Sequence, residues 1–242
     1  MKPVIALNGG SALDWQFRSE STVSYRTYAA AVTAAGGVPL LVNEPDCIED
    51  YVALADGLLL TGSAFFSPDG FGDPELLRRE EEERTVFDRR LLLAFAKAGK
   101  PVMGICLGLQ CINLTFGGTL EDMFKLRTGV EHMFCSHPCL TEPGSVTGGL
   151  FGVRFMINSH HNRRIDRLAE DLTATAYAPD GTIEEVRHKT LPIWGFEYHP
   201  ELMRGDYPEP PDGPDMTLLF RWFVEQCDKE KQDKGSPSAP HL

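Results

Sequence analysis

The apolar residues of this chain come in short continuous runs separated by helical stretches, and that rhythm begins at the first residues. Lys2 to Leu7, Val38 to Val42, Gly57 to Thr61 and Ile193 to Tyr198 read as strands without an in-out alternation, the pattern of strands buried on both faces. Between them, helical spacing predicts Thr22 to Ala35, closed by Gly36-Gly37, then Cys47 to Ala55 and Glu80 to Ala98. Leu107 to Phe116 and Met216 to Cys227 have the same spacing. Phe71 to Glu75 reads as loop, and Gly117 to Asp122 as a turn followed by a short helix. Val130 to Val186 is richer in Gly, Pro, Ser and Thr, with short strands at Val153 to Ile157 and Leu172 to Tyr177. An Asp180-Gly181 hairpin signal precedes a further strand at Ile183 to Val186. Alternation of this kind predicts an α/β fold with a mostly parallel central sheet and helices on both faces.

Composition narrows the function classes. An apolar fraction of 42% supports a sizeable core, and the expected organisation is a single domain over residues 1–227 with a disordered, polar tail over 228–242. A net charge of -12 argues against a general nucleic-acid or membrane-surface binder, since either needs a basic face. No apolar stretch approaches the ~20 residues of a membrane-spanning helix, and a cytoplasmic location is expected. Glu80 to Glu83 suit the dipole of a helix start and need no ligand. The six cysteines are too sparse for a disulfide framework. His132, Cys135, His137 and Cys139 fit no common zinc-finger spacing, so no metal is expected.

Two stretches carry candidate chemistry. Pro101 to Gln110 runs from a strand through Gly104-Ile105-Cys106-Leu107-Gly108 into a helix, the arrangement of a nucleophile elbow. A thiol there feels the helix dipole, and the backbone N–H of Leu107 faces any oxyanion formed beside the sulfur. Such a cysteine can equally be a small core hydrophobe. Far downstream, His199-Pro200-Glu201 follows a buried strand. Proline pushes the preceding residue into an extended conformation, and residues two apart on an extended chain project to one side, ~6 to 7 Å apart at Cα, so the imidazole and carboxylate can meet. A carboxylate on one ring nitrogen leaves the other to take a proton from a thiol.

Together these stretches resemble the class I glutamine amidotransferases, which implies a flavodoxin-like arrangement of the α/β sheet. Leu58-Leu59-Leu60-Thr61-Gly62, Gly117-Gly118-Thr119-Leu120 and Ile157-Asn158-Ser159-His160-His161 are similar to the γ-glutamyl-γ-aminobutyrate hydrolase, or peptidase C26, branch. The resemblance implies Cys106 as nucleophile, His199 as general base and Glu201 as its orienting partner. It also implies oxyanion donors from the backbone of Leu107 and Ser63, and a glutamyl pocket near Gly62, Gln110, Asn158, Ser159 and His160. His160 and His161 could equally be structural.

The implied reaction is hydrolysis of a γ-glutamyl amide, such as γ-glutamyl-γ-aminobutyrate, to glutamate and an amine through a thioester. It needs a small-molecule γ-glutamyl substrate, no cofactor, no nucleic acid and no membrane, and it is compatible with a homodimer. A glutaminase subunit feeding ammonia to a partner synthetase, and a non-catalytic binding protein on the same fold, are the alternatives. Two departures stand out. Leu107 occupies a position where this branch commonly has arginine, and Ser63-Ala64-Phe65-Phe66-Ser67-Pro68 replaces a glycine-rich acidic loop. Phe65 and Phe66 could wall the pocket mouth or pack in the core.

Overall fold

The computed structural model describes the backbone of residues 1–14, 19–62, 74–122, 124–206 and 208–235, with the side chains of 11–14, 19–21, 74–83 and 231–235 left out. The chain opens with Val4–Asn8 (β1), a hairpin of Gly10–Asp14 (β2) and Ser19–Val23 (β3), and Arg26–Ala34 (α1). Val38–Val42 (β4), Ile48–Leu54 (α2), Gly57–Leu60 (β5), Pro74–Lys97 (α3), Val102–Ile105 (β6) and Leu107–Thr115 (α4) continue the alternation. A more irregular region follows, made of Thr119–Asp122 (β7), Lys125–Thr128 (α5), Cys135–Thr141 (β8), Val146–Phe151 (α6), Arg154–Ser159 (β9) and Arg163–Arg167 (β10). Leu172–Tyr177 (β11), Ile183–His188 (β12), Ile193–Phe196 (β13) and Thr217–Gly235 (α7) complete the fold.

Nine strands form one sheet in the order β4-β1-β5-β6-β13-β12-β11-β8-β9. The first five run parallel, and every pairing beyond β13 is antiparallel. Both faces of the parallel half are covered. On one side Ile5, Leu7, Leu59, Met103 and Phe196 pack against Tyr28, Ala31 and Val32 of α1 and Phe220, Phe223 and Val224 of α7. On the other, Ala6, Leu58, Leu60 and Val102 meet Ile48 of α2, Leu91 and Phe95 of α3, and Leu109 and Ile112 of α4. Adjacent residues of one strand thus enter different cores, which is why these strands are continuously apolar. No helix among the described residues is long and apolar enough to cross a membrane.

Several elements differ from the sequence expectation. Thr22 and Val23 belong to β3, so α1 starts later than the Ala-rich run suggested. The long helix starts at Pro74, which puts Glu80 to Glu83 beyond its first turn and removes the dipole argument for them. Thr119–Asp122 is a strand paired with β10, and β8 occupies the Cys/His-rich segment. The closing helix continues through residues 228–235, where a disordered tail was expected. Residues 236–242 of that tail lie outside the described residues.

A buried polar network anchors the end of β5. Asn8 Nδ2 donates to Asp88 Oδ1 at 2.6 Å, and Arg84 Nε donates to Asp88 Oδ2 at 3.2 Å. Arg84 also reaches the Thr61 carbonyl at 2.7 Å, while the Thr61 N–H donates to Asn8 Oδ1 at 2.7 Å. Burial pushes the Asp88 carboxyl up, and Arg84 and Asn8 oppose that shift. Arg84→Ala strips a buried carboxylate of its countercharge and is expected to cost about 3–5 kcal/mol in urea unfolding. Adding Asp88→Asn to that variant should recover part of the loss, because the charge is then gone.

Candidate active site

The C-terminal ends of three adjacent parallel strands deliver the site. Leu60 lies beside Gly104 and Phe196 beside Ile105 in the sheet register, so Gly62, Cys106 and His199 leave β5, β6 and β13 at the same edge. Loops at this edge form the crevice where open α/β sheets bind ligands. The parallel order therefore gathers residues that are far apart in sequence.

Cys106 sits between β6 and α4 with φ 51 and ψ -105, a backbone conformation that costs a side-chain-bearing residue ~1 to 3 kcal/mol. Its N–H donates to the Phe196 carbonyl at 2.7 Å, and its own carbonyl accepts from Gln110 N–H at 3.0 Å. Close packing enforces the turn. A Cβ on Gly108 would lie 2.3 Å from the Leu60 carbonyl oxygen, and one on Gly104 would lie 2.6 Å from the backbone of Gly108. Leu107 opens α4, where first-turn N–H groups have no intrahelical acceptor.

His199 has φ -106 and ψ 82, as expected before proline, but Pro200–Leu202 turns as a 3-10 segment and is not extended. The predicted contact forms all the same: His199 Nδ1 lies 2.7 Å from Glu201 Oε1, with both side chains buried. The imidazole is an electrostatic neighbour of the Cys106 thiol. Burial acts against the charged imidazole, yet the Glu201 carboxylate and the Cys106 sulfur outweigh it and hold His199 well above the usual histidine range. Burial pushes the Cys106 thiol up, and His199 opposes that shift.

The remaining predicted residues divide. Asn158 clamps the backbone of His199, accepting its N–H at 2.8 Å and donating to its carbonyl at 2.9 Å. The His160 ring lies 5.7 Å from the His199 ring, and its Nε2 is 3.5 Å from Glu209 Oε2. Gln110 donates to Glu197 Oε1 at 2.6 Å, so its amide is held by a second buried side chain. Ser159 points away from this group and meets His132 Nδ1 at 3.1 Å. Gly62 touches the site: a Cβ there would be 2.8 Å from His199 Cε1 and 3.5 Å from Cys106 Cβ. Ser63, Phe65 and Phe66 lie outside the described residues.

Tyr28 and Glu197 were not anticipated. The Tyr28 hydroxyl accepts the Gly62 N–H at 3.0 Å and lies in the field of the Glu201 carboxylate, which ties α1 to the edge of the site. The Gly62 amide is thereby occupied. Glu197 carried a legible signal, since a charged residue inside the apolar run Ile193 to Tyr198 must find partners. Burial pushes its carboxyl up to about 8, and Gln110 and His199 oppose the shift. Tyr28 gave no comparable sign, because its position on α1 reads as ordinary core.

A parallel α/β sheet with a strained cysteine turn after one strand and a histidine–glutamate pair after its neighbour defines a protein of the class I glutamine amidotransferase-like type. Residues 3–201 match the Peptidase C26 family. The chain belongs to that family. It is 28% identical over 244 residues to Protein NtpR of Enterococcus hirae, covering 93% of this chain and 100% of that protein. It is 26% identical over 227 residues to the gamma-glutamyl-gamma-aminobutyrate hydrolase of Escherichia coli O157:H7, covering 86% and 87%. Among solved structures, a "putative gmp synthase subunit a protein" of Thermoplasma acidophilum has the same fold, with a TM-score of 0.72 at 18% identity. That match covers 98% of this chain and 99% of the other.

Proposed function

We propose that this protein is a cysteine-dependent hydrolase of γ-glutamyl amide bonds, with Cys106 as nucleophile, His199 as acid and base, and Glu201 as the residue that orients His199. The observation that carries the proposal is the Cys106 thiol held in a strained turn beside an imidazole whose Nδ1 rests on a buried carboxylate. The sulfur gives its proton to His199 and attacks the γ-carbonyl. The resulting oxyanion is held by backbone N–H groups, that of Leu107 and, from the loop after β5, that of Ser63. The Gly62 N–H is already given to Tyr28 and is not one of these donors. His199 then protonates the departing amine, a thioester remains on Cys106, and water deprotonated by the same histidine releases glutamate.

Gly62, Gln110, Asn158, Ser159 and His160 were expected to border the glutamyl pocket. Of these, Gly62 and His160 stand against the reacting pair. Asn158 and Gln110 act as positioning residues through His199 and Glu197, and Ser159 meets His132. The test is a panel of γ-glutamyl amines, with glutamine included, together with labelling by a glutamine-mimicking electrophile. Turnover of the amines with one label on Cys106 supports the reading. Turnover of glutamine alone, and only in the presence of a second protein, would replace it with an ammonia-supplying subunit. An unlabelled Cys106 with no turnover would remove the enzyme reading altogether.

A further inference from the structure

We propose that His132, His161 and Glu184 form a binding site for a divalent metal of the zinc class, with His137 as a further ligand. The four residues come from separate parts of the chain. His132 precedes β8, His137 lies on β8, His161 follows β9, and Glu184 lies on β12. The site is independent of the assignment of Cys106, although His161 Nδ1 approaches Glu197 Oε1 at 3.5 Å and Glu197 holds Gln110.

Hydrogen bonds on the outer side of each ring decide what its inner nitrogen can do. His161 Nδ1 lies 2.7 Å from the Arg163 carbonyl, an acceptor only, so that nitrogen carries the proton and Nε2 carries a lone pair. His132 Nε2 faces the Asp180 carboxylate at 3.4 Å, which directs its proton outward and leaves Nδ1 bare. The two bare nitrogens are 3.1 Å apart. Two lone pairs at that distance repel unless a cation or a proton stands between them. The Ser159 hydroxyl, 3.1 Å from His132 Nδ1, is a further polar neighbour and can satisfy only one of the pair.

Glu184 supplies the independent sign. It is 0% exposed, and neither carboxylate oxygen has a hydrogen-bond partner among the described residues. Its Oε1 lies 3.8 Å from His132 Nδ1, 3.9 Å from His161 Nε2 and 3.6 Å from His137 Nε2. A buried carboxylate without donors is costly, and a cation removes that cost. The three ligand atoms mark a triangle with sides of 3.1, 3.8 and 3.9 Å. The point equidistant from its corners lies about 2.1 Å from each, the bond length of zinc to imidazole nitrogen and carboxylate oxygen. His137 Nε2 also has no hydrogen-bond partner among the described residues, and its Nδ1 faces the Pro138 carbonyl at 3.2 Å. A nitrogen-rich set with one carboxylate suits zinc and its first-row neighbours over magnesium or calcium.

In sequence, His132, Cys135, His137 and Cys139 fit no common zinc-finger spacing, and no metal was expected from them. The fold keeps the two histidines and discards the thiols. Cys139 enters the core, and Cys135 Sγ donates to the Glu131 carbonyl at 3.3 Å.

The test uses the full-length chain carrying Cys106→Ala, so that the reactive thiol cannot bind metal, titrated with zinc against a chromophoric chelator and separately loaded with cobalt(II). The expected results are one zinc per chain by elemental analysis, a raised Tm, and a four-coordinate cobalt spectrum without thiolate charge-transfer bands. Glu184→Gln and His161→Gln should each weaken zinc binding by about 100-fold or more while circular dichroism stays unchanged. A chain that remains metal-free under competition overturns the proposal, as does a thiolate-type cobalt spectrum or unchanged affinity in both folded variants. If a variant fails to fold, the stoichiometry and spectrum of the parent chain decide on their own.

Discussion

Cys106→Ala is expected to abolish hydrolysis of γ-glutamyl amides, lowering kcat by at least about 10⁴-fold, because without the sulfur no thioester can form and only binding and oxyanion stabilisation remain. The measurement is steady-state release of glutamate by the purified variant, with circular dichroism to show that the fold is retained. Wild-type turnover in the variant would remove Cys106 from the mechanism. The same position permits a sharper comparison. Cys106 is held at φ 51, so glycine should fit the turn better than alanine. Cys106→Gly and Cys106→Ala should both be inactive, with the glycine variant more stable by about 1 kcal/mol in denaturant melts. A cysteine that is merely core filler would show the stability difference but no loss of turnover.

Glu201→Gln carries the second large effect. The carboxylate raises the affinity of His199 for its proton and fixes which ring nitrogen faces the sulfur. The amide removes the charge and can impose the wrong tautomer, so kcat/KM should fall by about 10³- to 10⁴-fold, the scale seen when such an orienting carboxylate is neutralised. The sign of the pH shift follows from the same charge. Cys106 and His199 share their protons, so the acid limb of kcat/KM reports the pair. In the wild type that limb should lie above the ordinary histidine range. In Glu201→Gln the imidazole loses its proton more readily, and the limb should move to lower pH. An unmoved limb with an equal loss of rate would mean that Glu201 acts only as a packing element.

Much of the parallel half was legible because its strands are buried on both faces and flank clear helices. The turn at Cys106 could be read from Gly104 and Gly108, and the His199–Glu201 contact from the proline between them. What sequence could not give depended on pairing. The β2–β3 hairpin includes the polar stretch Ser19-Glu20-Ser21-Thr22, which has no apolar face to announce a strand. β8 was hidden by Pro138, a residue that argues against a strand. Yet β8 meets β11 only at Leu140 and Thr141, so over Cys135–Cys139 it is a sheet edge, where proline is tolerated.

The start of α3 was missed although Pro74 suits a first helical position. Residues 228–235 looked too polar to be ordered. They extend a helix already nucleated and packed through Phe220 and Phe223, and Lys, Glu and Gln continue a helix at little cost. Around the site, contacts between distant segments that no motif marks were missed, as with Tyr28 to Gly62 and Glu197 to Gln110. The grouping of His132 with His161 and Glu184 was not legible for the same reason, since they come together only through the sheet.

The order of the central strands also fixes when Cys106 and His199 can meet during synthesis. β6, which positions Cys106, is flanked by β5 from earlier in the chain and by β13 from much later. Until β13 emerges from the ribosome, β6 is an open edge, and Cys106 has no His199 beside it. Such an edge invites pairing with other chains, and closing a contact of this sequence separation is slow. Truncations that end before Ile193 should therefore aggregate rather than yield a weak enzyme, and catalytic competence should appear only with the last strand of the sheet.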